Sequence, residues 1–153
     1  MSEPSMQNVS NYDDLAGQDL GVTPWLELTQ DRITAFGGIT LDFDPHHIDP
    51  RQAADGPFGV AAAQGFLTLS LLTHFAGMLA DRRVPRQHIN YGFNRVRFIR
   101  PAVVGSRLRA AFKCRSVSER EPGQYLLVFD VTVEADNDDK PVMTAEWLAL
   151  IHA

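Results

Sequence analysis

Hydrophobic and polar positions divide the chain into a first half with helical periodicity and a second half with strand periodicity. In the first half, Ile33 and Phe36 lie three residues apart, which predicts a short helix that begins after the N-cap Thr29 and ends at the glycine pair 37–38. The longest apolar run, residues 61–79, predicts the main helix. Because that run is apolar on nearly every helical face, we expect it to be buried inside the domain.

Shorter signals flank these helices. Residues 21–28 predict an extended segment that Pro24 keeps at a sheet edge. Residues 39–49 predict a polar loop, followed by a short helix at Pro50–Ala54 that Asp49 caps.

After Pro85 the apolar residues alternate with polar ones, as they do in half-buried strands. The alternation changes parity near Asn94, which predicts a β-bulge there. Four strands are predicted, within residues 88–100, 107–115, 125–133 and 142–151. The fold class is therefore α+β, with a curved antiparallel sheet around the long helix. Since such a sheet leaves an edge strand exposed, a dimer is expected.

Length and composition indicate one domain and restrict its partners. With 153 residues, 44% of them hydrophobic, the chain can form a single core. Residues 1–16 are polar, without the basic and apolar regions of a signal peptide, and are expected to be disordered; residues 17–153 form the domain. A net charge of −5 argues against nucleic acid as the main ligand. The single cysteine, Cys114, cannot form an internal disulfide, which favours a cytoplasmic protein.

The apolar segment 58–80 has about the length of a membrane span. Several polar residues interrupt it, and no Lys or Arg precedes it, so a buried helix explains it better and no membrane segment is predicted.

The residues with candidate chemistry lie in the hexad 42–47, Asp-Phe-Asp-Pro-His-His. Asp42 and His47 are separated by a proline that we expect to hold the loop extended. In that geometry a carboxylate and an imidazole could share one water and move protons to and from it. Two structural alternatives are a turn, in which Asp44 or Asp49 caps backbone amides, and a metal site. Capping is preferred for Asp49. No metal is predicted, because adjacent histidines rarely point the same way, and a calcium loop would need a glycine and a terminal glutamate that are missing.

Gly65 lies near the predicted start of the main helix. A backbone amide there can donate to an oxygen that acquires negative charge. Taken alone, close packing of the helix against the sheet is the simpler explanation for this glycine.

Residues 36–72 resemble the MaoC-type dehydratase and (R)-specific enoyl-CoA hydratase family of hot-dog-fold proteins. The family motif Asp-x-Asn-Pro-x-His-x-Asp corresponds to residues 42–49, and its later segments correspond to Phe58-Gly59 and to residues 64–67, Gln-Gly-Phe-Leu. Residues 89–98 and 104–107 resemble the branch that includes nodulation protein N.

The resemblance implies a hot-dog homodimer that adds water to trans-2-enoyl-CoA, or removes it from (3R)-3-hydroxyacyl-CoA. It implies that Asp42 and His47 hold and activate the water, and that the Gly65 amide binds the thioester carbonyl. The substrate is then a coenzyme A thioester, and no separate cofactor is expected. Further candidate substrate contacts are Asp44, Phe58, Gln64, Thr73 and Arg97.

The chain departs from the family motif at two positions. Asp44 replaces an asparagine, and if it is ionised beside Asp42, one of the two carboxyl groups should resist ionisation. Gln64 replaces a histidine. Two other functions stay open: a hot-dog acyl-CoA thioesterase, and a non-catalytic binder of acyl thioesters.

Overall fold

The computed structural model describes residues 12–81, 83 and 88–152. Its helices are α1 (Gln30–Thr40), α2 (Pro45–Ile48), α3 (Pro50–Ala54), α4 (Gly65–Ser70) and α5 (Leu72–Gly77), preceded by a 3-10 helix at Tyr12–Leu15. Its strands are β1 (Asp19–Val22), β2 (Leu26–Glu27), β3 (Ile89–Phe98), β4 (Arg107–Glu121), β5 (Gln124–Ala135) and β6 (Met143–His152).

The strands form one antiparallel sheet in the order β1-β4-β5-β6-β3, and β2 also pairs with β4. Along β4, Leu108, Ala110 and Phe112 are buried, while Arg107 is exposed. The predicted alternation is therefore confirmed. Trp147 on β6 is 1% exposed and contacts the rings of Phe93 on β3, Phe112 on β4 and Phe129 on β5.

Strand β3 is an edge strand, because it pairs with β6 and has no second partner among the described strands. Its pairing register shifts twice, and the second shift lies between Phe93 and Arg95. The predicted bulge near Asn94 is confirmed. Ile89 and Tyr91 are exposed along this strand.

The main helix is shorter than the sequence predicted. Residues 61–63 lie outside any helix, with Ala62 bridged to Val103, and the helix begins only at Gly65. It is also divided into α4 and α5. At this division the Ser70 hydroxyl donates to the carbonyl oxygen of Phe66 (2.7 Å), a side-chain bond that competes with regular helix bonding.

The expectation that the main helix is buried on nearly every face was wrong. Leu72 and Phe75 pack into the core, but Phe66 is 69% exposed on the opposite face. The apolar side chains on that face are not covered by the described residues of this chain.

Two predictions about α1 and the following loop were also wrong. The helix does not end at the glycine pair but continues to Thr40, where Leu41 ends it with a left-handed φ of 61°. Pro45 does not extend the loop: it is the first residue of α2, with Asp44 as the N-cap. Proline suits that position, because the first amide of a helix has no partner within the helix.

The N-terminal segment enters the core earlier than expected. Tyr12 and Leu15, within the stretch predicted to be disordered, are buried, and the Tyr12 ring lies edge-on to Tyr125 at 5.1 Å. Residues 1–11 lie outside the described residues. Among the described residues, no helix is long and apolar enough to cross a membrane.

Candidate active site

The His47 ring is held in a defined orientation. Its Nδ1 lies 2.6 Å from the carbonyl oxygen of Ala62. A carbonyl oxygen can only accept, so Nδ1 carries the hydrogen, and the neutral ring presents a free lone pair at Nε2. That lone pair is available to receive a proton.

His47 Nε2 lies 4.0 Å from Asp42 Oδ2. This distance is too long for a direct hydrogen bond, and it leaves both atoms free to contact one water. The His47 side chain is 22% exposed and that of Asp42 is 44% exposed, so solvent reaches the pair. The structure thus brings together the two residues that the sequence selected.

The backbone of α2 is fixed from two sides. The Ala62 N–H donates to the carbonyl oxygen of His46 (3.3 Å), next to the contact between His47 and the Ala62 carbonyl. From the other side, Gln30 Nε2 donates to the carbonyl oxygen of His47 (2.8 Å). The first residue of α1 therefore supports the candidate catalytic histidine.

Asp42 is fixed by its neighbours in the chain. Its N–H donates to the carbonyl oxygen of Gly37 (3.0 Å), and its Oδ1 accepts a long bond from the Asp44 N–H (3.3 Å). These contacts leave Oδ2 as the oxygen that faces His47.

Asp44 makes a second Asp–His pair within the same hexad. Its Oδ1 accepts from the His46 N–H and contacts His46 Nδ1, both at 2.9 Å. These hydrogen bonds stabilise the carboxylate and lower the pKa of Asp44. Asp44 is therefore an ionised helix cap and is not a carboxyl group that resists ionisation.

Asp49 has the capping role predicted for it. Its carboxylate accepts from the backbone N–H groups of Arg51 and Gln52, and from Gln52 Nε2. These bonds, led by those from Gln52, lower the pKa of Asp49. Among the described residues, no group of three or more His, Cys, Asp or Glu side chains could hold a metal ion.

Gly65 lines a cleft of about 320 Å³ together with Phe58, Phe98 and Arg100. Its N–H makes no hydrogen bond within the part of the chain that the structure describes. A Cβ at this position would lie 3.2 Å from the Phe98 ring. The glycine therefore permits close packing, and its amide has no hydrogen-bond partner among the described residues.

The Gly65 cleft and the Asp42–His47 pair are two separate parts of the candidate site. Neither Asp42 nor His47 lines the cleft. Ala62, which orients the His47 ring, lies three residues before Gly65, so the short segment between them connects the two parts.

Gln64 is buried, and it connects helices. Its Nε2 donates to the carbonyl oxygen of Ile33 in α1 (3.1 Å), while its Oε1 is buried without a partner among the described residues. This contact joins the start of α4 to the middle of α1.

Neither Thr73 nor Arg97 lines the Gly65 cleft. Thr73 borders a separate cavity of about 200 Å³ beside Leu69 and Trp147. Arg97 is exposed on β3. A different arginine, Arg100, lines that cleft.

Sequence reasoning missed two residues that shape this site. The Gln30 side chain donates to the carbonyl oxygen of His47, which is distant along the chain. The Gly37 carbonyl oxygen accepts from the Asp42 N–H, which lies just beyond the end of α1. A glutamine at a helix start and a glycine within a helix carry no distinctive pattern, so only the tertiary contacts identify them.

A model of the MaoC like domain matches residues 12–136. The chain belongs to the MaoC-like dehydratase family. It is 42% identical to nodulation protein N of Rhizobium meliloti (strain 1021), over 98% of this chain and 92% of that protein. It is 35% identical to 3-hydroxyacyl-thioester dehydratase Z of Mycobacterium tuberculosis (strain ATCC 25618 / H37Rv), over 93% of this chain and 94% of that protein.

The fold of this MaoC-like protein matches solved structures of the family. The (R)-hydratase from A. caviae involved in PHA biosynthesis superposes with a TM-score of 0.73 at 22% identity, covering 88% of this chain and 94% of that one. The predicted hot-dog fold is confirmed, with the shorter and divided main helix described above.

Proposed function

We propose that this MaoC-like protein reversibly hydrates trans-2-enoyl-CoA to (3R)-3-hydroxyacyl-CoA. The observation that carries the proposal is the free Nε2 of His47, held 4.0 Å from the Asp42 carboxylate by the bond between Nδ1 and Ala62. A relative named as a 3-hydroxyacyl-thioester dehydratase and a structural neighbour named as an (R)-hydratase support this reaction class.

In the hydration direction, Asp42 and His47 bind one water. As the water oxygen bonds to C3 of the enoyl group, His47 Nε2 receives the proton that the water loses. The electrons of the double bond move towards the thioester carbonyl, and the Gly65 N–H donates to the resulting enolate oxygen. The Asp–His pair then returns a proton to C2, so that one water is added and no proton is gained or lost.

The other substrate contacts in this proposal come from residues that line the Gly65 cleft. Phe58 and Phe98 provide apolar walls for the carbons beside the thioester, and Arg100 provides a positive charge at the same cleft. The reaction requires no metal and no cofactor besides the coenzyme A of its substrate. The working protein is proposed to be cytoplasmic.

A homodimer is part of the proposal. The free edge of β3 and the uncovered face around Phe66 expose large apolar side chains, which a second copy would cover. Sedimentation at micromolar concentration should give twice the mass of one chain, and a monomer would contradict this part.

The experiment is a crotonyl-CoA assay that follows loss of the enoyl-thioester absorbance, with release of free thiol measured in parallel. Hydration without thiol release supports the proposal. Thiol release without hydration would assign a thioesterase. Calorimetric binding of the thioester, with turnover at background, would assign a non-catalytic binder.

A further inference from the structure

Thr68 is a buried polar residue in the wall of the Gly65 cleft. It lies in α4, is 2% exposed, and lines the cleft together with Gly65. The other side chains that line this cleft are apolar except that of Arg100, which is 43% exposed and lies 3.7 Å from the Asp138 carboxylate. Within the described part of the chain, Thr68 is therefore the buried residue of the cleft that carries a hydroxyl.

The Thr68 hydroxyl has no hydrogen-bond partner among the described residues. Serine and threonine in a helix often bond back to a carbonyl oxygen of the preceding turn, as Ser70 does to Phe66 at 2.7 Å. Buried polar groups without any partner are uncommon in folded proteins. The Oε1 of Gln64 is also unpaired, but it is enclosed by protein, whereas Thr68 lines a cleft. An oxygen of a bound substrate would give the Thr68 hydroxyl its partner.

Thr68 and Gly65 lie one turn apart on the same face of α4. Residues three positions apart in a helix have Cβ positions about 5–6 Å from each other. Because helical side chains tilt towards the helix N-terminus, that of Thr68 leans over the turn that Gly65 begins. The Gly65 N–H also has no partner among the described residues. A carbonyl oxygen has two lone pairs, so one oxygen between these two residues can accept from both.

We propose that Thr68 is a catalytic residue for the hydration: its hydroxyl is a second donor to the thioester oxygen, beside the Gly65 N–H. This proposal rests on the proposed hydratase function and deepens it. Thr68 forms no covalent bond and transfers no proton. Its hydrogen bond strengthens as negative charge grows on the thioester oxygen while water adds to C3. The hydroxyl therefore contributes more to kcat than to substrate binding.

The test compares Thr68→Val with Thr68→Ser in crotonyl-CoA hydration. Valine keeps the shape of threonine and removes the hydroxyl, whereas serine keeps the hydroxyl and removes a methyl group. We expect Thr68→Val to lower kcat on the order of 10²-fold, the usual cost of losing one donor to a developing oxyanion. KM should change by less than about threefold, because the interaction is made mainly in the transition state. Thr68→Ser should keep kcat within about threefold of the unaltered protein.

A packing role for Thr68 predicts the opposite order of the two variants. Since Thr68 is buried, the lost methyl should make Thr68→Ser the less stable variant in urea unfolding. If activity follows stability, so that the serine variant is the less active one, the catalytic role is overturned. Full activity in Thr68→Val also overturns it.

A fold defect can be separated from a catalytic effect. If Thr68→Val does not fold, Thr68→Ala takes its place with Thr68→Ser as its reference, since both lack the methyl group and differ only in the hydroxyl. If Thr68→Ala fails to fold while Thr68→Ser folds, the hydroxyl supports the domain, and the catalytic role is overturned.

The contact can also be measured without turnover. Butyryl-CoA labelled with ¹³C at the carbonyl is saturated and cannot be hydrated, and its carbonyl resonance moves downfield when the oxygen accepts hydrogen bonds. We expect a downfield shift on binding to the unaltered protein and to Thr68→Ser, and a smaller shift with Thr68→Val. Equal shifts in all three proteins would overturn the contact.

These measurements distinguish the two proposals. If the unaltered protein does not hydrate enoyl-CoA, the proposed function fails. A carbonyl shift that depends on the Thr68 hydroxyl would even then support its contact with the thioester.

Discussion

The hexad 42–47 contains two Asp–His pairs that differ in geometry. Asp44 and His46 are in direct contact at 2.9 Å, exposed, and bonded to the start of α2. Asp42 and His47 lie 4.0 Å apart and are less exposed; Asp42 is held by its neighbours in the chain, and His47 by the more distant Ala62.

The difference shows that the shorter contact is not the better catalytic candidate. In the closed pair, Asp44 and His46, one carboxylate oxygen contacts both the backbone N–H and the ring of the histidine, so no gap remains between the two side chains for a water. We call Asp42 and His47 the open pair, because the Asp42 Oδ2 and the His47 Nε2 do not bond to each other and both remain available to a water. The tightest carboxylate–imidazole contact of the hexad is therefore not the pair that we propose for catalysis.

The largest expected effect separates the two histidines. His47→Gln should lower kcat for enoyl-CoA hydration on the order of 10²- to 10⁴-fold, the usual contribution of a general base. His46→Gln removes an exposed imidazole from the closed pair and should retain most of the activity. Steady-state kinetics of the two variants measure this, and an equal loss in both would remove the distinction between the pairs.

A smaller loss of activity is expected when a residue that supports the open pair is replaced. Gln30→Ala removes the donor to the His47 carbonyl oxygen and should lower kcat about tenfold, as His47 loses one of its fixed contacts. Gln52→Ala is the matched control, because Gln52 bonds to the cap residue Asp49 and not to the open pair. Comparable activity in the two variants would show that the α1 contact does not position His47.

The smallest effect concerns stability beside the open pair. Leu41 has a φ of 61° and is 73% exposed, so it adopts a strained conformation with little burial in return. Leu41→Gly should raise the free energy of unfolding by about 1 kcal/mol, because glycine adopts this conformation without the steric cost. Urea unfolding measures the change; a destabilised variant would mean that the exposed leucine makes an important contact.

The sequence predicted the sheet better than the helices. Alternation along β4 determines which side chains face the core, and this local pattern survives in the fold, as the buried Leu108 and Phe112 show. Helix limits depend on competing contacts. The main helix divides beside a side-chain bond from Ser70 to the carbonyl oxygen of Phe66, and α1 continues past Gly37 until the left-handed Leu41.

The sequence predicted only those candidate site residues that lie close together in a recognisable motif. The spacing of Asp42 and His47 and the resemblance to the MaoC-type motif identified the pair. They could not show that Gln64 binds the backbone of α1, or that neither Thr73 nor Arg97 lines the Gly65 cleft. These outcomes depend on contacts between residues up to 31 positions apart.

The most direct test of the central claim is the rate of crotonyl-CoA hydration in Asp42→Asn and Asp44→Asn, measured side by side. Both variants replace one carboxylate by an amide within the same hexad, and asparagine also caps helices well. The open pair predicts a loss on the order of 10²-fold or more for Asp42→Asn, with most activity retained in Asp44→Asn. Full activity in Asp42→Asn, or an equal loss in Asp44→Asn, would contradict the account.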